Sequence, residues 1–153
     1  MDFADGQLDA HPWSWGALAL IGAGLAHLST VVLQMILLGG LGAWVLSQPG
    51  SSDPLGMALL ALWFLAPVVG TLVVIVLNFL AARSLRFQGP GPLVWAAVVG
   101  GVFWPGLRIG LAMLACNVFE APIHLIGTVA SILSVVVIAI DPSTRVFRVT
   151  PAR

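Results

Sequence analysis

Residues 93–116 read LVWAAVVGGVFWPGLRIGLAMLAC, an apolar run in which Arg108 is the single charged residue. The run extends from Pro92 to Asn117, and about 20 apolar residues suffice for a helix to cross the hydrocarbon core of a bilayer. Pro105 interrupts it three residues before the arginine, and proline bends a helix by removing a backbone donor. Because an arginine at the bilayer centre costs about 2.5–3.5 kcal/mol to insert, the other helices are expected to surround and stabilise Arg108.

The composition of the whole chain indicates a membrane protein. Of its 153 residues, 59% are hydrophobic and 8% are charged, whereas a soluble domain carries about 25% charged residues to cover its surface. The formal net charge is zero, so the chain lacks the basic character of a nucleic-acid-binding protein, and no nucleic acid is expected as a partner. All six basic residues are arginine, and Ala, Gly and Val are abundant, a composition that favours a bacterial origin.

The sequence predicts an all-α fold, an integral membrane bundle of four transmembrane helices. The second helix is expected to begin at Pro54, since proline tolerates the first helical position, and either Ser52 or Asp53 can serve as its N-cap. Pro67 and Pro105 are expected to kink the second and third helices. The predicted spans are residues 14–46, 54–82, 92–117 and 122–140.

The arginines predict the orientation of this bundle, which covers residues 14–141. With four crossings, a polar segment (1–13), the loop after the second span and a short basic tail (142–153) share one side of the membrane. The positive-inside rule places that side, and both termini, in the cytoplasm, which makes a bacterial inner membrane the expected location. In the alternative topology, Pro105-Gly106 is the tip of a re-entrant pair of half-helices, and the arginines are divided between the two sides. In the favoured four-span topology, the arginines on the cytoplasmic side are Arg83, Arg86, Arg145, Arg148 and Arg153.

Polar residues recur at helical spacing in the predicted spans, and this pattern indicates a polar interior. Membrane helices direct small and polar side chains toward one another, because lipid offers no hydrogen-bond partners. In the first span, His27, Thr30 and Gln34 share one face of a helix. Counting 1.5 Å per residue from the cytoplasmic side places His27 and Arg108 in one polar layer. The candidate buried polar cluster is His27, Thr30, Gln34, Asn78, Arg108 and His124.

Arg108 has two interpretations. In the structural one, it bonds a carbonyl group freed by Pro105, snorkels toward the membrane surface, or pairs with a carboxylate or lipid phosphate from another subunit; we favour this one. In the functional one, it binds an anionic substrate or ion. Gly106 and Gly110 form a small-xxx-small motif beside it and are candidate helix-packing residues. Glu120 is expected to stabilise the N-terminus of the fourth helix.

His27 and His124 raise the question of a haem, since paired histidines on facing helices can ligate iron. Their predicted depths differ by about 10 Å on the helical rise, so two separate buried histidines are favoured over a shared haem. The chain has one cysteine and no CxxCH motif. No disulfide, metal site or cofactor is therefore expected.

The function class follows from what the sequence contains and what it lacks. No HExxH, GxSxG or paired-acid motif is present, so the protein is not expected to be an enzyme. Short loops and small-residue helix faces favour a non-catalytic accessory or structural subunit of a larger membrane complex. Its partners would be the lipid bilayer and other membrane subunits, or further copies of itself. The alternative is a protomer of a homo-oligomeric channel or transporter, possibly with an anionic substrate at Arg108.

Overall fold

The computed structural model describes residues 13–47, 53–87, 91–114 and 120–142. Within these ranges the chain is helical and contains no strand, as predicted. Each of the four helices contains a stretch long and apolar enough to cross a membrane. The predicted polar segment and basic tail fall almost entirely outside the described residues. The helices are α1 (Trp15–Leu46), α2 (Pro54–Phe87), α3 (Pro92–Leu114) and α4 (Glu120–Ile140).

Local capping fixes where the first two helices begin. The Ser14 hydroxyl accepts a hydrogen bond from the backbone N–H of Ala17 (3.1 Å) at the start of α1. The Asp53 carboxylate accepts hydrogen bonds from the backbone N–H groups of Leu55 and Gly56 (3.2 Å each) at the start of α2. Both residues are of the types that satisfy free N–H groups at helix N-termini. Asp53 therefore fills the N-cap role that its sequence predicts.

The observed helices differ from the predicted spans mainly at the end of α2, and α4 begins at Glu120, two residues before its predicted start. α2 continues to Phe87 rather than ending near residue 82, because Leu85 packs into the apolar core and keeps the last turns on the bundle. α3 is one continuous helix through Pro105-Gly106, so the alternative topology with a re-entrant tip at this dipeptide is wrong. α2 likewise continues through Pro67. Kinks at the two prolines stay a prediction.

The four helices form a closed ring. α1 packs against α2 and α4, and α3 packs against the same two helices. We call the end at which α1 and α3 begin the proximal end; it carries Arg83 and Arg86, and the opposite end is the distal end. An apolar core fills the proximal half. Its buried residues are Ala17, Leu20, Ala81, Ala82, Leu85, Val94, Ala97, Val98 and Ile138.

α1 and α2 are much longer than α3 and α4. They contain 32 and 34 residues, against 23 and 21 for α3 and α4, a difference of about 15 Å at 1.5 Å per residue. The excess lies at the distal end, where most described side chains of residues 35–46 and 54–66 are exposed. We call these two segments the α1–α2 extension.

Candidate functional site

A chain of four polar side chains crosses the distal end of the bundle. Arg108 of α3 donates a hydrogen bond to the carboxylate of Glu120 in the first turn of α4, and the two form a buried ion pair. The same carboxylate lies 3.6 Å from Nε2 of His124, one turn further along α4. Gln34 of α1 donates from its amide nitrogen to that His124 nitrogen (3.0 Å). We call Arg108, Glu120, His124 and Gln34 the distal polar chain; it connects α3, α4 and α1.

The distal polar chain offsets the free-energy cost of burying the Arg108 charge in this bundle. The side chains of Arg108 and Glu120 are 7% and 9% exposed, so both charges are removed from solvent. A buried charge is tolerated when an opposite charge and further hydrogen bonds surround it. Glu120 lies in the first turn of α4, where the helix dipole also favours a negative charge. The predicted role of Glu120 at this N-terminus and its pairing with Arg108 are therefore compatible.

A second polar contact lies nearer the middle of the bundle. Nε2 of His27 is 2.9 Å from the hydroxyl of Ser131, and both residues are buried. Gly101 and Gly127 adjoin this pair: a methyl group at Gly101 would clash with Ser131, and one at Gly127 would clash with the imidazole of His27. The two glycines thus allow α3 and α4 to enclose the histidine of α1. This is the close packing that small residues permit between membrane helices.

A third polar contact joins α2 to α3. The Thr71 hydroxyl donates to the carbonyl of Pro67 (2.8 Å) and accepts a hydrogen bond from Nε1 of Trp104 (3.3 Å). A methyl group at Gly70 would clash with the Trp104 ring, so the indole lies directly on the α2 backbone. The Trp104 N–H consequently has an acceptor although the ring is partly buried within an apolar helix pair.

All six members of the candidate polar cluster are buried, but they do not meet at one place. Gln34, Arg108 and His124 belong to the distal polar chain, whereas His27 contacts Ser131. Thr30 lies on the same face of α1 and donates to the carbonyls of Ala26 (3.2 Å) and Ile123 (3.3 Å). Asn78 donates to the carbonyl of Val74 in its own helix (2.9 Å). The exposed fractions are His27 1%, Thr30 0%, Gln34 7%, Asn78 1%, Arg108 6% and His124 1%.

The prediction that His27 and Arg108 share one layer is wrong. Their partners on α4, Ser131 and Glu120, are eleven residues apart, which corresponds to about 16 Å along the helix. Gly101 of α3 adjoins His27 and Ser131, so Arg108, seven residues later, already lies about 10 Å further toward the distal end. Arg108 reaches toward the distal end to meet Glu120, away from the level of His27.

The structure also places the two histidines considered for a haem and the two candidate helix-packing glycines. His27 and His124 contact different partners, and Gln34, which bonds His124, lies seven residues beyond His27 on α1, about 10 Å away on the helical rise. Gly106 and Gly110 face away from the bundle: a methyl group at either would meet no atom within 4 Å. Their role as helix-packing residues stays a prediction. Among the described residues, no group of three His, Cys, Asp or Glu side chains is placed to hold a metal ion.

Sequence reasoning missed the residues that complete these contacts. Glu120 was assigned only to a helix terminus, although it lies twelve residues after Arg108 across a short connection between two antiparallel helices. That spacing is the signal that could have paired them. Gly101 and Gly127 carry no signal of their own, because the chain has 17 glycines and only the packing of α1 distinguishes these two. No family model, curated protein or solved structure matches this chain.

Proposed function

We propose that this protein is a non-catalytic accessory or structural subunit of a larger membrane assembly, and that the α1–α2 extension contacts a different membrane protein. The single observation that carries this proposal is the extension itself. α1 continues 12 residues past Gln34, whereas α4 begins four residues before His124, the residue that Gln34 contacts. α1 therefore extends about 12 Å beyond α4 at the distal end.

The helix lengths indicate that the apolar α1–α2 extension reaches beyond the bilayer and would be exposed to water without a partner. α3 and α4, with 23 and 21 residues, match the ~20 residues that cross a hydrocarbon core of about 30 Å. A bilayer fitted to α3 and α4 leaves much of the α1–α2 extension at or beyond its distal surface. Residues 35–46 and 54–66 contain no charged side chain. Apolar surface in water is unfavourable, so a protein partner is the cover that we infer.

The exposed area of the extension suits a specific interface. Eight of its described large apolar side chains are 40–68% exposed, and their summed surface is on the order of 800 Å², the area that each partner contributes to a standard protein–protein interface. Methyl groups at Gly39, Gly40 or Gly42 would meet no atom within 4 Å, so helices of another chain could approach α1 closely there. The exposed side chains are Met35, Ile36, Leu37, Leu41, Trp44, Leu55, Leu62 and Leu65.

The distal polar chain supports this proposal over the channel or transporter alternative. The transport interpretation requires Arg108 to present its charge to an anionic substrate. In the structure that charge is directed to Glu120, and the guanidinium side chain is 7% exposed. A charge neutralised within the chain supports a structural role for the arginine.

Site-specific cross-linking in native membranes tests the proposal. In a Cys116→Ser background, Leu41→Cys on the extension and Leu133→Cys on α4 each receive a photo-activatable cross-linker. The two leucines are 42% and 58% exposed, so the control position is at least as accessible as the test position. We expect a product containing a different polypeptide from Leu41→Cys and much less of it from Leu133→Cys. Products that contain only this chain, or equal yields at the two positions, would contradict the proposal.

A further inference from the structure

The last two turns of α2 hold two arginines, Arg83 and Arg86, in different surroundings. Arg83 is exposed, and Arg86, one turn later, is partly buried. The Cζ atom of Arg86 lies over the Trp13 ring (4.6 Å to the centroid) and over the Phe87 ring (5.3 Å). Aromatic faces attract a guanidinium ion and favour particular positions for it. The structure thus distinguishes a positioned arginine from a freely exposed one of equal charge.

One hydrogen-bond donor of Arg86 is not satisfied within the described chain. Its Nε–H is buried and has no acceptor, and no ion pair joins Arg86 or Arg83 to a carboxylate of the described residues. Asp141, a carboxylate at the same end, is buried and accepts a hydrogen bond from the backbone N–H of Gly16 (2.8 Å). Among the described residues, these two positive charges therefore have no carboxylate partner, and two aromatic rings position the guanidinium group of Arg86.

We propose that Arg86, held by Trp13 and Phe87, binds the phosphate of an anionic phospholipid headgroup, with Arg83 contributing charge beside it. A planar guanidinium group matches phosphate oxygens with two parallel hydrogen bonds. The apolar part of α2 that can cross a membrane ends at Phe87, which places Arg86 where the hydrocarbon core meets the headgroups. Trp13 is 46% exposed, as expected of an indole at that boundary. Anionic lipids attract arginines near the membrane surface, and this site adds a fixed geometry to that attraction.

Native mass spectrometry of lipid adducts on the full chain tests this inference. The purified protein is titrated with phosphatidylglycerol, with phosphatidylcholine, and with phosphatidylglycerol in the presence of excess inorganic phosphate. We expect phosphatidylglycerol to bind more tightly than phosphatidylcholine, and inorganic phosphate not to displace it. Displacement by inorganic phosphate would show a general anion site and would overturn the assignment to a lipid headgroup. Equal binding of the two lipids would overturn the proposal.

Two variants that each remove one positive charge distinguish a positioned phosphate site from general electrostatic attraction to anionic lipid. Arg83→Gln is expected to weaken phosphatidylglycerol binding about fivefold, the effect of one basic residue near an anionic surface. Arg86→Gln removes the positioned hydrogen bonds as well, and is expected to weaken binding more than tenfold. Equal losses in the two variants would contradict a positioned phosphate site.

A third variant keeps every charge and changes only the position of the guanidinium group. Trp13→Leu removes one ring contact of Arg86 and is expected to weaken phosphatidylglycerol binding several-fold, since an arginine without its aromatic neighbour is less restricted. Phosphatidylcholine binding is expected to stay unchanged, which also shows that the variant is folded. Unchanged phosphatidylglycerol binding would show that Trp13 does not position Arg86, and would overturn the proposal of a site held by Trp13.

Discussion

Replacing Glu120 with leucine tests how strongly the distal polar chain stabilises the bundle. The change leaves Arg108 buried without its ion-pair partner. Removing one partner of a buried pair costs about 3–5 kcal/mol, because an uncompensated charge remains inside the protein. The loss of a negative charge from the first turn of α4 adds about 0.3–1 kcal/mol. We therefore expect the free energy of unfolding to fall by roughly 3–6 kcal/mol.

The reverse change and the double change complete the thermodynamic cycle. Arg108→Leu leaves the Glu120 carboxylate buried and is expected to cost about 3–5 kcal/mol. The double variant leaves no uncompensated charge and is expected to lie within about 1–2 kcal/mol of the wild type, since apolar replacement of a buried pair is often neutral. The two losses are then far from additive, and the coupling free energy is about 3 kcal/mol or more.

Equilibrium unfolding in mixed detergent micelles, followed by far-ultraviolet circular dichroism, measures these free energies. Arg83→Leu is the matched control, because Arg83 is exposed and makes no ion pair among the described residues. Its effect is expected to stay within about 0.5 kcal/mol. Single variants of the pair that cost less than about 1 kcal/mol would refute the reasoning, as would a double variant whose loss equals the sum of the single losses.

Three further predictions use the same unfolding assay. Gly127→Ala places a methyl group against the His27 ring and should cost about 1–3 kcal/mol, whereas Gly110→Ala, which meets no neighbour, should not destabilise the protein. Ser131→Ala removes the hydroxyl that contacts His27 and should cost about 1–3 kcal/mol, the penalty for an unmet buried polar group; a loss no larger than that of the Gly110→Ala control would contradict this. Asp141→Ala leaves a backbone N–H of α1 without its acceptor and should cost a similar ~1–3 kcal/mol, with no loss as the contradicting result.

The sequence predicts the helices well, because the signals for them are local. The number of helices follows from apolar run length, and the start of α2 follows from Asp53 and Pro54. Burial of His27 and Arg108 also follows locally, since a polar side chain in an apolar helix must turn away from lipid. These predictions require no knowledge of which helix faces which.

The arrangement of the polar residues could not be predicted in the same way, because it depends on contacts between helices. The pairing of Arg108 with Glu120 requires the reach of the arginine side chain across the α3–α4 connection. The position of His27 depends on Gly101 and Gly127, which look like any other glycines in the sequence. In the sequence, the α1–α2 extension corresponds only to the length of the predicted spans 14–46 and 54–82, since run length does not reveal which turns pack against neighbours.

The most direct test of the proposed function is the mass of the intact assembly extracted gently from its own membranes. Native mass spectrometry under such conditions should give a fixed mass in which this chain of 16.0 kDa accompanies other polypeptides, and truncating the α1–α2 extension should release it. A mass equal to a whole multiple of 16.0 kDa, with no other polypeptide present, would contradict the accessory-subunit account.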